Sequence, residues 1–331
     1  MSTSRMISSF RTGTTLLTLV LSLWLTATAQ EPVPKADPSP HSIQFVTVEN
    51  NVKLEVLDWG GSGRPLILLA GLGSTAHTFD RFAPKLTQSY HVYGITRRGF
   101  GASSAPVPEN GNYSADRLGD DVLAVLDALK LARPVLVGHS IGGEELSSIG
   151  TRHPEKVTGL IYLDPYSYAF YDRSRGDLSL DAIELKKKLD QIILVQPENK
   201  GPWVQDLLQT LPQFEKELRE QLQMLPATAA PASLVAVPTN SANPTVLAGE
   251  AILMSEQKYT DIRLPVLAIF AFPSDLGPAP ENALSAREAD AFEKGIPSAR
   301  VVRLPHASHR VFESNEADVL NEMRDFLAGL Q

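Results

Sequence analysis

The chain contains no cysteine in its 331 residues. That excludes disulfides, a thioester intermediate and a lipid-anchored N-terminal cysteine. An exported protein of this kind stands on its core alone, which this length permits. A basic excess is also missing: 30 Lys and Arg face 38 Asp and Glu, for a net charge of −8. Nucleic-acid binding needs basic patches, and an acidic surface disfavours anionic membranes and polyanionic substrates. There is no internal repeat. The longest apolar run, 16–25, is too short for a bilayer span, which needs about 20 residues. None of the seven histidines stands at zinc-binding spacing from another histidine or an acid on a helix, so no metal or cofactor is called for. What remains, 43% apolar and 21% charged residues, is ordinary for one large globular domain.

The first 29 residues read as a secretory signal peptide: Arg5 and Arg11 form the basic region, 16–25 the apolar region, and Ala27-Thr28-Ala29 a small-residue cleavage site. Its removal takes the net charge from −8 to −10, since those two arginines are its only charges. The expected location is therefore periplasmic or secreted, with no stable membrane insertion once the signal is cleaved. Residues 30–41, with prolines at 32, 34, 38 and 40, read as an extended linker.

From residue 42 strand and helix signals alternate, which specifies an α/β class with a mainly parallel sheet. Strands are expected at 42–48, 53–59, 66–69, 91–95, 135–137, 157–163, 265–270 and 300–305. Helices are expected at 113–131, from 140 to the stop at Pro154, and at 317–330. Residues 166–260 interrupt the alternation with amphipathic stretches at 178–195 and 205–224 and an Ala/Pro/Ser-rich stretch at 226–244.

The chemistry concentrates at Gly138-His139-Ser140-Ile141-Gly142, directly after the apolar run 134–137. A Gly-x-Ser-x-Gly between a strand and a helix forms a nucleophile elbow. The turn is so sharp that its serine adopts a strained backbone and only glycine avoids clashes two positions away. The serine, acid, histidine order that accompanies this elbow is present. His309 closes the loop after the last strand and is the expected base, with His306 as its rival. The acid that orients the imidazole is expected at Asp275, beyond the strand at 265–270, in preference to Asp164, beyond the strand at 157–163. Donors for an oxyanion are expected from the backbone N–H of Ile141 and, in the Gly-rich loop after 66–69, of Leu72.

These features, together with Thr96-Arg97-Arg98-Gly99-Phe100-Gly101-Ala102-Ser103 and Leu163-Asp164-Pro165, resemble the α/β-hydrolase superfamily, in its branch with a helical cap. The resemblance runs from about residue 43 to the end. It implies an eight-stranded, mainly parallel sheet with helices on both faces and a helical cap inserted at about 166–260. Two departures stand out: Ala70 where the family commonly has histidine, and Thr96 where it has aspartate. The dehalogenase and epoxide-hydrolase branches use an aspartate nucleophile, so Ser140 points away from both. The expected function is cleavage of a small carboxylic ester or lactone through an acyl-enzyme. Carbon–carbon hydrolysis, aminopeptidase and perhydrolase activities on the same triad, or a ligand-binding role, are the alternatives. The sequence leaves oligomeric state open. Two further features carry two readings each. The aromatic run Tyr166-Ser167-Tyr168-Ala169-Phe170-Tyr171 either lines a pocket or packs a cap. Glu144 and Glu145 either recognise substrate or pair with a neighbouring arginine or cap hydroxyl.

Overall fold

A strand enclosed between two helical layers must be apolar on both faces, and the short unbroken runs of this chain meet that demand. In the computed structural model, which describes residues 40–224, 243–273 and 280–330, they form one eight-stranded sheet. The strands are β1 (Ser42–Glu49), β2 (Val52–Gly60), β3 (Pro65–Leu69), β4 (His91–Ile95), β5 (Val135–His139), β6 (Gly159–Leu163), β7 (Val266–Phe272) and β8 (Ala299–Pro305). Their order is β1-β2-β4-β3-β5-β6-β7-β8. β2 pairs antiparallel with both its neighbours and the pairs from β4 onward are parallel, so β2 alone runs against the rest.

Alternate residues of each strand feed opposite layers. Ile67, Leu69, Leu136, Leu160 and Tyr162 pack with α1 (Ala115–Leu129), α2 (Gly142–Arg152) and part of the later helix layer. Leu66, Leu68, Val135, Val137, Ile161 and Leu163 face the other way, onto Phe79, Phe82 and the C-terminal residues Phe312, Val319 and Met323. α1 begins where Ser114 caps the Arg117 N–H and ends at Lys130 in the left-handed conformation.

Between β6 and β7 the chain inserts α3 (Leu178–Leu194), α4 (Gly201–Met224) and α5 (Pro244–Leu253). α4 begins ahead of its expected start because Gly201-Pro202 opens the helix, where a missing N–H costs nothing. α5 is apolar nearly all round and so shows no stripe; its one signal is its start, where Asn243 caps the Thr245 N–H ahead of Pro244. After β7 comes α6 (Pro280–Gly295), also unforeseen, because its buried side is built largely from small and polar residues such as Ser285, Glu288 and Ala289. α7 (Val311–Ser314) and α8 (Glu316–Ala328) close the chain. The signal peptide at 1–29, the linker up to residue 39, most of the stretch at 226–244 and Asp275 lie outside the described residues.

Candidate active site

The turn from β5 into α2 places Ser140 at φ 54°, the left-handed region, and its N–H donates to the Leu163 carbonyl at 3.1 Å. The flanking glycines are sterically required. A Cβ at Gly138 would lie 2.6 Å from the Gly142 carbonyl oxygen, and one at Gly142 would lie 2.9 Å from that of Leu69. A Cβ on Gly71 would lie 2.8 Å from His139 Nδ1 and 3.2 Å from Ser140 Cβ, so the loop carrying Leu72 runs directly against the elbow. The Ile141 side chain packs in an apolar cluster with Phe100, Tyr113, Ala248 and Ile252, and Leu72 and Tyr168 rest against it. α5 therefore bears on the elbow.

His309 Nδ1 hydrogen-bonds Asp164 Oδ2 at 2.7 Å, while Asp164 Oδ1 accepts the Ala271 N–H at 2.9 Å. The structure thus brings Asp164, the rival candidate for the acid, to His309. Asp275 lies outside the described residues, and the one proton that Nδ1 has to give goes to Asp164. The register explains why. β5 and β6 are neighbours and pair His139 with Leu163, so the next residues, Ser140 and Asp164, leave adjacent strands at the same level. Asp164 is also left-handed, at φ 48°, as is Tyr166 at φ 52°. Non-glycine residues in this region store strain and cluster at functional sites. Of the two loop histidines, His309 is bonded to Asp164, and His306 is exposed at a left-handed turn.

Two aromatic neighbours fix the His309 ring. Tyr166 stacks on it at 4.6 Å between centroids, and His139 lies at 4.6 Å with its Nε2–H donating to the His309 carbonyl at 3.0 Å. Burial, and then the nearby His309, pull the His139 imidazole down to about 4, so it is neutral at pH 7. The aromatic run thus divides by role. Tyr166 meets His309 and Tyr168 meets the cluster around Ile141. Phe170 packs on Phe292, and the Tyr171 hydroxyl donates to Asp181.

Glu145 pairs with Arg97 in a buried bidentate bridge, at 2.5 and 3.0 Å, and the same guanidinium donates to the Ala70 carbonyl at 2.9 Å. Arg97 thereby ties the loop after β3 to the helix that carries the elbow. Glu144 accepts the Gln257 backbone N–H at 2.5 Å rather than meeting an arginine or a hydroxyl. Burial pushes Glu144 well up, and Glu256 up to about 8, with other carboxylates adding to both shifts. Burial holds Glu144, only 1% exposed, toward its neutral form. The motif around 96–103 is architectural. Arg98 is fully buried between Asp121 and Glu49, Ser103 bonds the Thr96 carbonyl, and Thr96 itself donates to Glu55.

Sequence reasoning missed two neighbours of His309. His139 sits at an unconstrained position of the elbow motif, and Tyr166 was one ring among four. The signal that could have found Tyr166 is its place two residues after Asp164.

The family model for the alpha/beta hydrolase fold matches residues 64–316. Over 107 residues the chain is 38% identical to a fluoroacetate dehalogenase from Burkholderia sp., covering 32% of this chain and 35% of that protein. Over 113 residues it is 34% identical to a 2-hydroxymuconate semialdehyde hydrolase from Pseudomonas sp., covering 33% of this chain and 39% of that one. The matches thus span between a third and two fifths of these relatives' length. In solved structures, a thermophilic esterase from Thermogutta terrifontis superposes with a TM-score of 0.55 at 20% identity, covering 87% of this chain and 99% of the esterase. An epoxide hydrolase from Bacillus megaterium does so with a TM-score of 0.53 at 19% identity, covering 86% and 100%. At that identity the likeness concerns the fold alone. The chain belongs to the α/β-hydrolase fold family.

Proposed function

We propose that this protein is a serine hydrolase that cleaves a small carboxylic ester or lactone. The observation that carries the reading is the left-handed Ser140 at the end of β5, level with an Asp164–His309 pair held at 2.7 Å from the adjacent strand. Asp164 accepts the Nδ1 proton, leaving Nε2 as the base that deprotonates Ser140 during attack on the carbonyl. The Ile141 and Leu72 N–H groups receive the oxyanion, each such donor being worth about 3 kcal/mol. The imidazolium then protonates the leaving alcohol, and the same histidine activates the water that releases the acid.

The substrate is small and uncharged near its acyl group. The surroundings of Ile141 are apolar, and burial holds the nearby Glu144 and Glu256 toward their neutral forms. A serine at position 140 separates the chain from branches with an aspartate nucleophile. The N-terminal signal supports export to the periplasm or medium. Carbon–carbon hydrolysis on the same triad is the second reading, and a relative from Pseudomonas sp. is named a 2-hydroxymuconate semialdehyde hydrolase.

The test is steady-state hydrolysis of p-nitrophenyl esters from acetate to octanoate by the protein and by Ser140→Ala. Turnover that falls by three orders of magnitude or more in the variant, at unchanged thermal midpoint, supports the reading. No ester turnover at any chain length sinks it and moves weight to the second.

A further inference from the structure

Distant from the elbow in sequence, the first described residues meet the short 3-10 turn Ala76–Phe79. His41, immediately before β1, brings Nδ1 to 2.8 Å from Asp80 Oδ1. His77 brings Nδ1 to 3.2 Å from Asp80 Oδ2. One ligand atom from each of His41, His77 and Asp80 lies within 4.8 Å of the other two, and the imidazole centroids are 4.9 Å apart at 65°.

We propose that His41, His77 and Asp80 form a structural site for a divalent transition-metal ion of the zinc type. Two imidazoles and a carboxylate are a zinc donor set, and water or a further oxygen completes a tetrahedron. Ligand atoms of such a tetrahedron stand about 3.3 Å apart, and two imidazoles on one ion place their centroids about 5 Å apart. The observed 2.8 and 3.2 Å, to the two oxygens of Asp80, and 4.9 Å between the rings lie near these values, and an ion would draw together ligand atoms that now lie within 4.8 Å of one another.

The second layer of contacts is arranged for the same purpose. A metal-bound imidazole ordinarily presents its other ring N–H to a carboxylate, which fixes the tautomer and strengthens the ligand. His77 Nε2 lies 3.5 Å from Oε1 of the buried Glu55. Glu55 is itself held by the Thr96 hydroxyl at 2.6 Å, and the Ala76 N–H donates to the Thr96 hydroxyl oxygen at 3.1 Å. The Trp59 indole N–H donates to Asp80 at 3.2 Å and orients the ligating carboxylate. Thr96 stands where the family commonly carries aspartate, so the departure seen in the sequence belongs to this network.

The spacing could not announce the site. His77 and Asp80 are three residues apart on a 3-10 turn, while His41 arrives from the start of β1. An ion here clips the beginning of the hydrolase domain onto the turn that follows the Gly71-Leu72 loop. Its role is stabilisation; no step at Ser140 passes through it.

Untagged full-length protein, stripped with chelator and dialysed, is titrated with Zn²⁺ by calorimetry and with Co²⁺ by visible absorption. The expected result is one equivalent bound with Kd of about 1 µM or tighter, intense ligand-field bands of tetrahedral Co²⁺, and a thermal midpoint raised by several degrees. His41→Gln and His77→Phe each weaken binding at least 100-fold, and Glu55→Gln weakens it about 10-fold to 100-fold. Circular dichroism of the metal-free variants verifies folding, and Asp80→Asn replaces any variant that fails to fold. Absence of stoichiometric binding, or binding that both histidine variants retain, overturns the proposal and leaves a hydrogen-bonded His–Asp–His cluster.

Discussion

Asp164→Asn isolates the carboxylate that distinguishes this site from the one expected. The substitution preserves shape and removes charge, but the surroundings dictate how the amide lies. Ala271 donates its buried N–H to Asp164 Oδ1 at 2.9 Å, so the amide oxygen of an asparagine turns toward Ala271. Its NH2 group then faces His309 Nδ1, which must become an acceptor. The imidazole proton moves to Nε2, and that nitrogen no longer accepts the Ser140 proton. The opposite amide orientation restores the tautomer but leaves the Ala271 N–H against an NH2 group, which costs about 1–3 kcal/mol. That alone makes the productive form roughly ten-fold to 100-fold rarer. Losing the charge that steadies the imidazolium adds more. Together kcat should fall by about 10³–10⁴, equivalent to about 4–5.5 kcal/mol in the barrier, with little change in KM. The assay is p-nitrophenyl ester hydrolysis, with Asp275→Asn alongside and expected to stay within about ten-fold of the parent. A loss below ten-fold in Asp164→Asn, or a crippled Asp275→Asn, refutes the reasoning.

Two further predictions concern the groups around the base. The folded-state value of His139, about 4, lies below its unfolded value of about 6.5, so between those pH values the unfolded chain takes up the proton first. Stability should therefore fall as pH drops through that window, by up to about 3 kcal/mol, and His139→Gln should remove that share. Glu256, raised to about 8, acts in the opposite sense, its contribution declining as pH rises from about 4.5, so the readout is the difference between parent and variant in urea unfolding. Superimposable stability–pH profiles would contradict the burial argument. Arg97→Met strands the buried Glu145 and should cost about 3–5 kcal/mol, measured by urea unfolding, whereas Arg97→Met with Glu145→Met should regain most of it. In the double variant kcat should remain low, because the Ala70 carbonyl has lost its donor. A double variant with parental turnover would dissociate Arg97 from the oxyanion loop.

Local sequence determined the parts of this protein whose physics is local. The Gly-x-Ser-x-Gly spacing is legible because glycine alone fits where a Cβ would lie 2.6–2.9 Å from a carbonyl oxygen, at Gly138 and Gly142. The strands are legible because runs covered on both faces have to be apolar throughout, and His309 because it closes the loop after the last of them. Tertiary structure decided what depends on which strands are neighbours. Asp164 and Asp275 each follow an apolar run, and nothing in either run reveals that β6 rather than β7 lies against β5. Pairing of His139 with Leu163 makes that choice. The same holds for Arg97 with Glu145, for Tyr166 and His139 around the base, and for His41 with His77 and Asp80. Each is a meeting of side chains from separate elements, specified by sheet order and packing, and the chain encodes it only through the whole fold.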